Sequence, residues 1–94
     1  MKGGKTVREL TLTIQGESGL HARPAGLLAA EAQKFQSEIT VVKDSRIINA
    51  KSIMSVLSLG GTKGDSITVK IDGDDEVQAA ASIEALFENV LAHA

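Results

Sequence analysis

The run Glu9-Leu10-Thr11-Leu12-Thr13-Ile14 alternates polar and apolar residues without an error, and Ser66-Ile67-Thr68-Val69-Lys70-Ile71 repeats the pattern. A strand of that period has one dry face and one wet face, so it belongs to a sheet covered on one side only. The cover has to come from segments of helical period elsewhere in the chain.

Such segments are present. Over residues 22–35, Ala25, Leu28, Ala29, Ala32 and Phe35 recur at helical spacing and should face the core. Pro24 falls in the first turn, where its missing N–H costs nothing. Arg23, Gly26, Ala30 and Gln33 fall on the other side, and its small residues would let a partner come close. Two strands are predicted over 39–43 and 47–50, joined by a tight turn at Asp44-Ser45-Arg46. A short helix follows over 53–59, with Ser52 as its N-cap and Gly60 ending it. Ile53, Met54, Val56, Leu57 and Leu59 are too many large apolar residues for one buried stripe on two turns, so some must be exposed. After Gly64-Asp65 and the second alternating strand, Gly73-Asp74-Asp75-Glu76 opens the last helix with an acidic cap that suits its dipole. Ile83, Leu86, Phe87 and Val90 form the expected core stripe of that helix. The order β-α-β-β-α-β-α predicts an α+β open-faced β-sandwich, a four-stranded antiparallel sheet covered on one face by three helices.

A chain of 94 residues fits one domain spanning 1–94, with residues 1–6 as a flexible N-terminal extension. Phe35 and Phe87 are the only aromatic residues, so Leu, Ile, Val and Ala must build the core. The net charge of -2 leaves no basic stripe for nucleic acid, and no Tyr or Trp offers a stacking platform. Without cysteine there is neither a disulfide framework nor a thiolate metal site. No apolar run approaches the roughly 18 residues of a membrane span, and the polar N-terminus does not resemble a signal peptide. A cytoplasmic protein without direct membrane insertion is expected.

The chemistry concentrates in Gly19-Leu20-His21-Ala22-Arg23-Pro24-Ala25. This stretch lies where a loop becomes a helix, so His21 occupies or adjoins the N-cap. Backbone N–H groups and the positive end of the dipole converge there, which suits a dianion. Arg23 can reach the same space with a forked donor, Gly19 lets the loop approach sharply, and Ser18 offers an auxiliary hydroxyl. The same positive surroundings disfavour an imidazolium and leave a nucleophilic ring nitrogen. From the residues alone the reading is an anion site beside a nucleophilic histidine, and a plain helix cap remains the alternative.

That motif resembles the active-site signature of the HPr family, the histidine-containing phosphocarriers of the bacterial sugar phosphotransferase system. Asn49-Ala50-Lys51-Ser52-Ile53-Met54, followed by Leu57-Ser58-Leu59-Gly60, is similar to the family's regulatory-serine segment, and Gly73-Asp74-Asp75-Glu76 to its last-helix start. The similarity spans residues 7–90. The resemblance implies that His21 carries the phosphoryl group on Nδ1 and that Arg23 steadies it. It further implies that Ser52 is phosphorylated by an ATP-dependent kinase and that Ile53, Met54 and Leu57, with Gly26 and Ala30, dock onto partners. Those partners would be enzyme I, enzyme IIA domains, HPr kinase/phosphorylase and a transcriptional regulator, the protein acting as a monomeric carrier without cofactor or metal rather than as a stand-alone enzyme. Ser55 departs from the glycine that many Gram-positive relatives carry there.

Two other readings belong to the same resemblance: a carrier of the nitrogen-related branch, and a purely regulatory co-effector. Regulatory relatives lose the active histidine, so the presence of His21 disfavours the second. The remaining motifs carry little. His93 reads as a solvated tail residue, and Asp74-Asp75-Glu76 as a helix cap rather than a metal cluster. Gly60-Gly61-Thr62-Lys63-Gly64 precedes a strand, not a helix, and reads as a connecting loop rather than a phosphate loop.

Overall fold

A computed structural model describes residues 8–16 and 19–91. The expected N-terminal extension, Ser18 and His93 lie outside the described residues. The elements are β1 (Arg8–Thr13), α1 (Ala22–Ala32), β2 (Glu38–Lys43), β3 (Arg46–Asn49), α2 (Ile53–Leu59), β4 (Ser66–Asp72) and α3 (Glu76–Asn89). Their order is the one expected from the sequence.

The strands form one antiparallel sheet in the order β1-β4-β2-β3. Alternation sorts its residues by face. Ile39, Val41, Ile67, Val69 and Ile71 point to the helices and are buried, joined by the half-buried Leu10, Leu12 and Ile48. Leu28, Ala25 and Ala32 of α1, Val56 and Leu59 of α2, and Ala79, Ile83 and Phe87 of α3 close over them. The opposite face carries the paired row Thr11, Thr68, Val42 and Ile47, and Ile47 is exposed.

Local signals set several boundaries as expected. Ser52 caps α2 through its hydroxyl, which accepts from the Ser55 N–H at 3.2 Å. Gly60 ends that helix in the left-handed region, with φ 71°. The hairpin turn differs from the expectation: Arg46 already pairs with Lys43 in β3, which leaves the two residues Asp44-Ser45, with Asp44 at φ 55°, a conformation that a short polar side chain tolerates.

Three further expectations are corrected. First, α1 stops at Ala32, not Phe35. The Lys34 and Phe35 N–H groups turn to the carbonyls three residues back (3.2 Å each), those of Gln36 and Ser37 are taken by the Asp75 carboxylate, and the Phe35 carbonyl accepts from Lys51 Nζ (2.7 Å). Second, Asp75 occupies the N-cap of α3, but its side chain makes no capping bond. It reaches across to Gln36 and Ser37, while Glu76 Oε1 accepts from the Gly73 N–H. Third, α3 ends at Asn89, so Val90 leaves the stripe and is exposed, and Leu91 turns inward instead.

Candidate functional site

His21 is the N-cap of α1, with extended backbone (φ -90°, ψ -168°) and an exposed side chain that makes no capping bond. Its carbonyl accepts the first helical bond, from the Ala25 N–H at 2.9 Å. Pro24, which has no N–H, is buried in the first turn. The helix therefore offers the N–H groups of Ala22 and Arg23 beside the imidazole. Arg23 is exposed, and its guanidinium has no hydrogen bond or ion pair among the described residues. An imidazole and a guanidinium, neither with a side-chain partner among the described residues, thus stand at the positive end of a helix of 11 residues.

The approach to this helix is tightly built. Gly19 has φ 69°, and its N–H donates to the Gly16 carbonyl at 3.0 Å. A side chain at Gly19 would be strained by that φ, and its Cβ would lie 2.3 Å from the Gly61 carbonyl oxygen. Leu20 is buried, and its N–H donates to that same oxygen at 3.0 Å.

The structure packs α1 against α2. Ile53 and Met54 are exposed, Met54 by 75%, and Leu57 is half-buried. On α1, Ala30 is exposed and Gly26 half-buried, so the small-residue face is open as expected. Arg46 pins the C-terminal end of α2 by donating to the carbonyl and hydroxyl of Ser58. Ser52 is half-buried at the other end, with its hydroxyl held by the cap.

This geometry is an exposed imidazole beside backbone and guanidinium donors, adjoining a helix with apolar residues left in water. The family model described as "PTS HPr component phosphorylation site" matches residues 8–89. The chain belongs to the HPr family. Its phosphotransferase-system relatives include the phosphocarrier protein HPr of Mycoplasma genitalium, 45% identical over 83 residues, covering 87% of this chain and 94% of that one. A solved structure of HPr from Thermoanaerobacter tengcongensis superposes with a TM-score of 0.83 at 44% identity, covering 86% of this chain and 91% of its own. The HPr-like protein Crh of Halalkalibacterium halodurans is 41% identical, covering 85% of this chain and 95% of that one.

Sequence reasoning missed two features of this HPr chain. Ile47 is 68% exposed, which the doublet Ile47-Ile48 conceals because either residue could face the core. Gly61 lies in the connecting loop expected from the sequence, but it is also buried, and its carbonyl accepts from the N–H of Leu20, the residue preceding His21. A second glycine directly after the helix-ending Gly60 was the available signal. Among the described residues no cluster of His, Asp and Glu could hold a metal ion, and no helix is long and apolar enough to cross a membrane.

Proposed function

We propose that this HPr-family protein accepts a phosphoryl group on His21 from phospho-enzyme I and donates it to sugar-specific enzyme IIA domains. The observation that supports this most is the exposed imidazole at the N-cap of α1 with the exposed guanidinium of Arg23 near it, neither with a side-chain partner among the described residues. In the forward step the Nδ1 lone pair attacks phosphorus. One N–P bond forms as the bond to the donor breaks, and its electron pair returns to the donor. Donation to enzyme IIA reverses this at His21, which recovers its lone pair. Only the phosphoryl group moves, so no base is needed to activate water, and the protein acts as a carrier rather than a stand-alone enzyme. Arg23 and the N–H groups of Ala22 and Arg23 supply donors for the phosphoryl oxygens. Ile53, Met54 and Leu57, with Gly26 and Ala30, form the docking face.

Ser52 is the regulatory site in this reading. Its phosphorylation by HPr kinase/phosphorylase would place a dianion beside Ile53 and Met54, opposing apolar docking and offering an anchor to an arginine-bearing transcriptional regulator. The likeness to Crh, named as the catabolite repression HPr of Bacillus subtilis, supports a regulatory role alongside carriage.

Incubation with phosphoenolpyruvate and enzyme I, followed by intact-mass measurement before and after acid, tests the carrier role. One added phosphoryl group that acid removes is expected. No addition, or an acid-stable one, contradicts it.

A further inference from the structure

We infer that Gly61 is a positioning residue for phosphoryl transfer, fixing the loop that presents His21 through its carbonyl and its missing side chain. This rests on the carrier reading above and goes beyond it by assigning what holds the nucleophile in place.

Ile14 and Leu20 are each anchored on the loop after α2. The Ile14 N–H donates to the Asp65 carbonyl (2.9 Å), and the Ile14 carbonyl accepts from the Gly64 N–H (2.8 Å). The Leu20 N–H donates to the Gly61 carbonyl (3.0 Å). His21 is the next residue, so that last bond sets where its backbone leaves the loop.

Side chains close the same joint. Ile14 is 3% and Leu20 5% exposed, and both fill the space above Gly61. A Cβ on Gly61 would lie 2.4 Å from Ile14 Cδ1 and 3.2 Å from Leu20 Cδ1. The first distance is an overlap that something must relieve. Ile14 is bonded to the 61–65 loop through both its N–H and its carbonyl, and its side chain and that of Leu20 both sit in the core cluster. Leu20 has one such bond and adjoins the exposed His21. Whatever part of the displacement the Ile14 side chain does not absorb shifts residue 61 itself, and its carbonyl passes that shift through the Leu20 N–H to the residue before His21. In-line transfer is sensitive to such shifts, because a misplacement of about 1 Å can cost about a hundredfold in rate.

Gly61→Ala should slow phosphoryl acceptance from phospho-enzyme I by about tenfold at unchanged KM, because the docking residues on α2 are untouched. Adding Ile14→Val removes the Cδ1 that the new methyl would strike, so the double variant should recover to within about threefold of the parent rate. A folded Gly61→Ala that transfers at the parent rate, or a double variant as slow as the single one, overturns the inference. Amide exchange on the unaltered protein gives a test independent of how the variants fold. The Leu20 N–H should exchange about a hundredfold more slowly than a free amide, and an unprotected Leu20 overturns the inference outright. Failure of the unaltered protein to accept phosphoryl at all would instead remove the carrier reading, which separates the two.

Discussion

Asp75 Oδ1 accepts from the backbone N–H of Ser37 (3.0 Å) and from the Ser37 hydroxyl, and Oδ2 accepts from the Gln36 N–H (2.9 Å). The turn after α1 is thereby tied to the turn before α3, across a separation of 38 residues. Ser37 is 2% exposed, so its polar groups depend on this partner.

The pH dependence of stability follows from that link. The Ser37 hydroxyl first, and the Gln36 N–H next, hold the Asp75 carboxyl below its ordinary value of 3.8. A carboxyl lowered on folding contributes stability that is complete above the unfolded-state value and is lost as pH falls through the folded-state value. Asp75→Asn should therefore melt several degrees below the parent at about pH 7, and the gap should narrow once pH falls below about 4. Thermal melts followed by circular dichroism check this. A gap independent of pH would show that the charge of Asp75 plays no part.

Arg23→Ala should slow transfer through His21 by about tenfold or more while changing the melting temperature little, since Arg23 is exposed and makes no bond among the described residues. Arg23→Lys should recover only part of the rate, because an ammonium cannot copy the planar fork. Equal rates for all three forms, measured by rapid quench with phospho-enzyme I, would reduce Arg23 to a surface charge.

Met54→Glu should weaken binding to both enzyme I and enzyme IIA by about tenfold, a loss of about 1.4 kcal/mol, with the fold intact. Met54 is 75% exposed, so the free protein loses little packing, whereas an apolar interface would have to desolvate the new charge. Titration calorimetry against each partner reads it directly. Unchanged affinity for both would place docking elsewhere.

The outcomes along the chain show what a sequence can reveal of such a fold. Ser52 and Gly60 were legible because a cap is local chemistry: a hydroxyl three residues before the N–H it accepts from, and a left-handed residue at the helix end. His21 was legible for the same reason, as the residue before a helix whose first turn holds Pro24. The destination of Asp75 was not, because its partners lie far away in sequence and an N-cap aspartate has a local alternative. The early end of α1 was hidden similarly, since the carboxylate that takes the Gln36 and Ser37 N–H groups arrives only in the folded chain. Gly61 stayed unread because its role is space for Ile14 and Leu20, which no local pattern encodes.

Ser52→Asp should lower the rate of transfer from enzyme I several-fold while leaving the melting temperature unchanged or higher. The added negative charge sits at the positive end of α2 and suits that helix, but it adjoins the exposed Ile53 and Met54 that must be desolvated on docking. Protein phosphorylated on Ser52 by the kinase should show a larger loss. Normal transfer by the phosphorylated form would leave Ser52 as a helix cap alone.

The central claim is that His21 alone carries the phosphoryl group between two proteins. Label from radioactive phosphoenolpyruvate, passed through enzyme I and chased with an enzyme IIA domain, measures that directly. The parent protein should take up label and lose it to enzyme IIA, and His21→Ala should take up none while melting within a few degrees of the parent, because the replaced side chain is exposed and makes no capping bond. Enzyme I-dependent label on folded His21→Ala, or label on the parent that enzyme IIA cannot remove, would contradict the account.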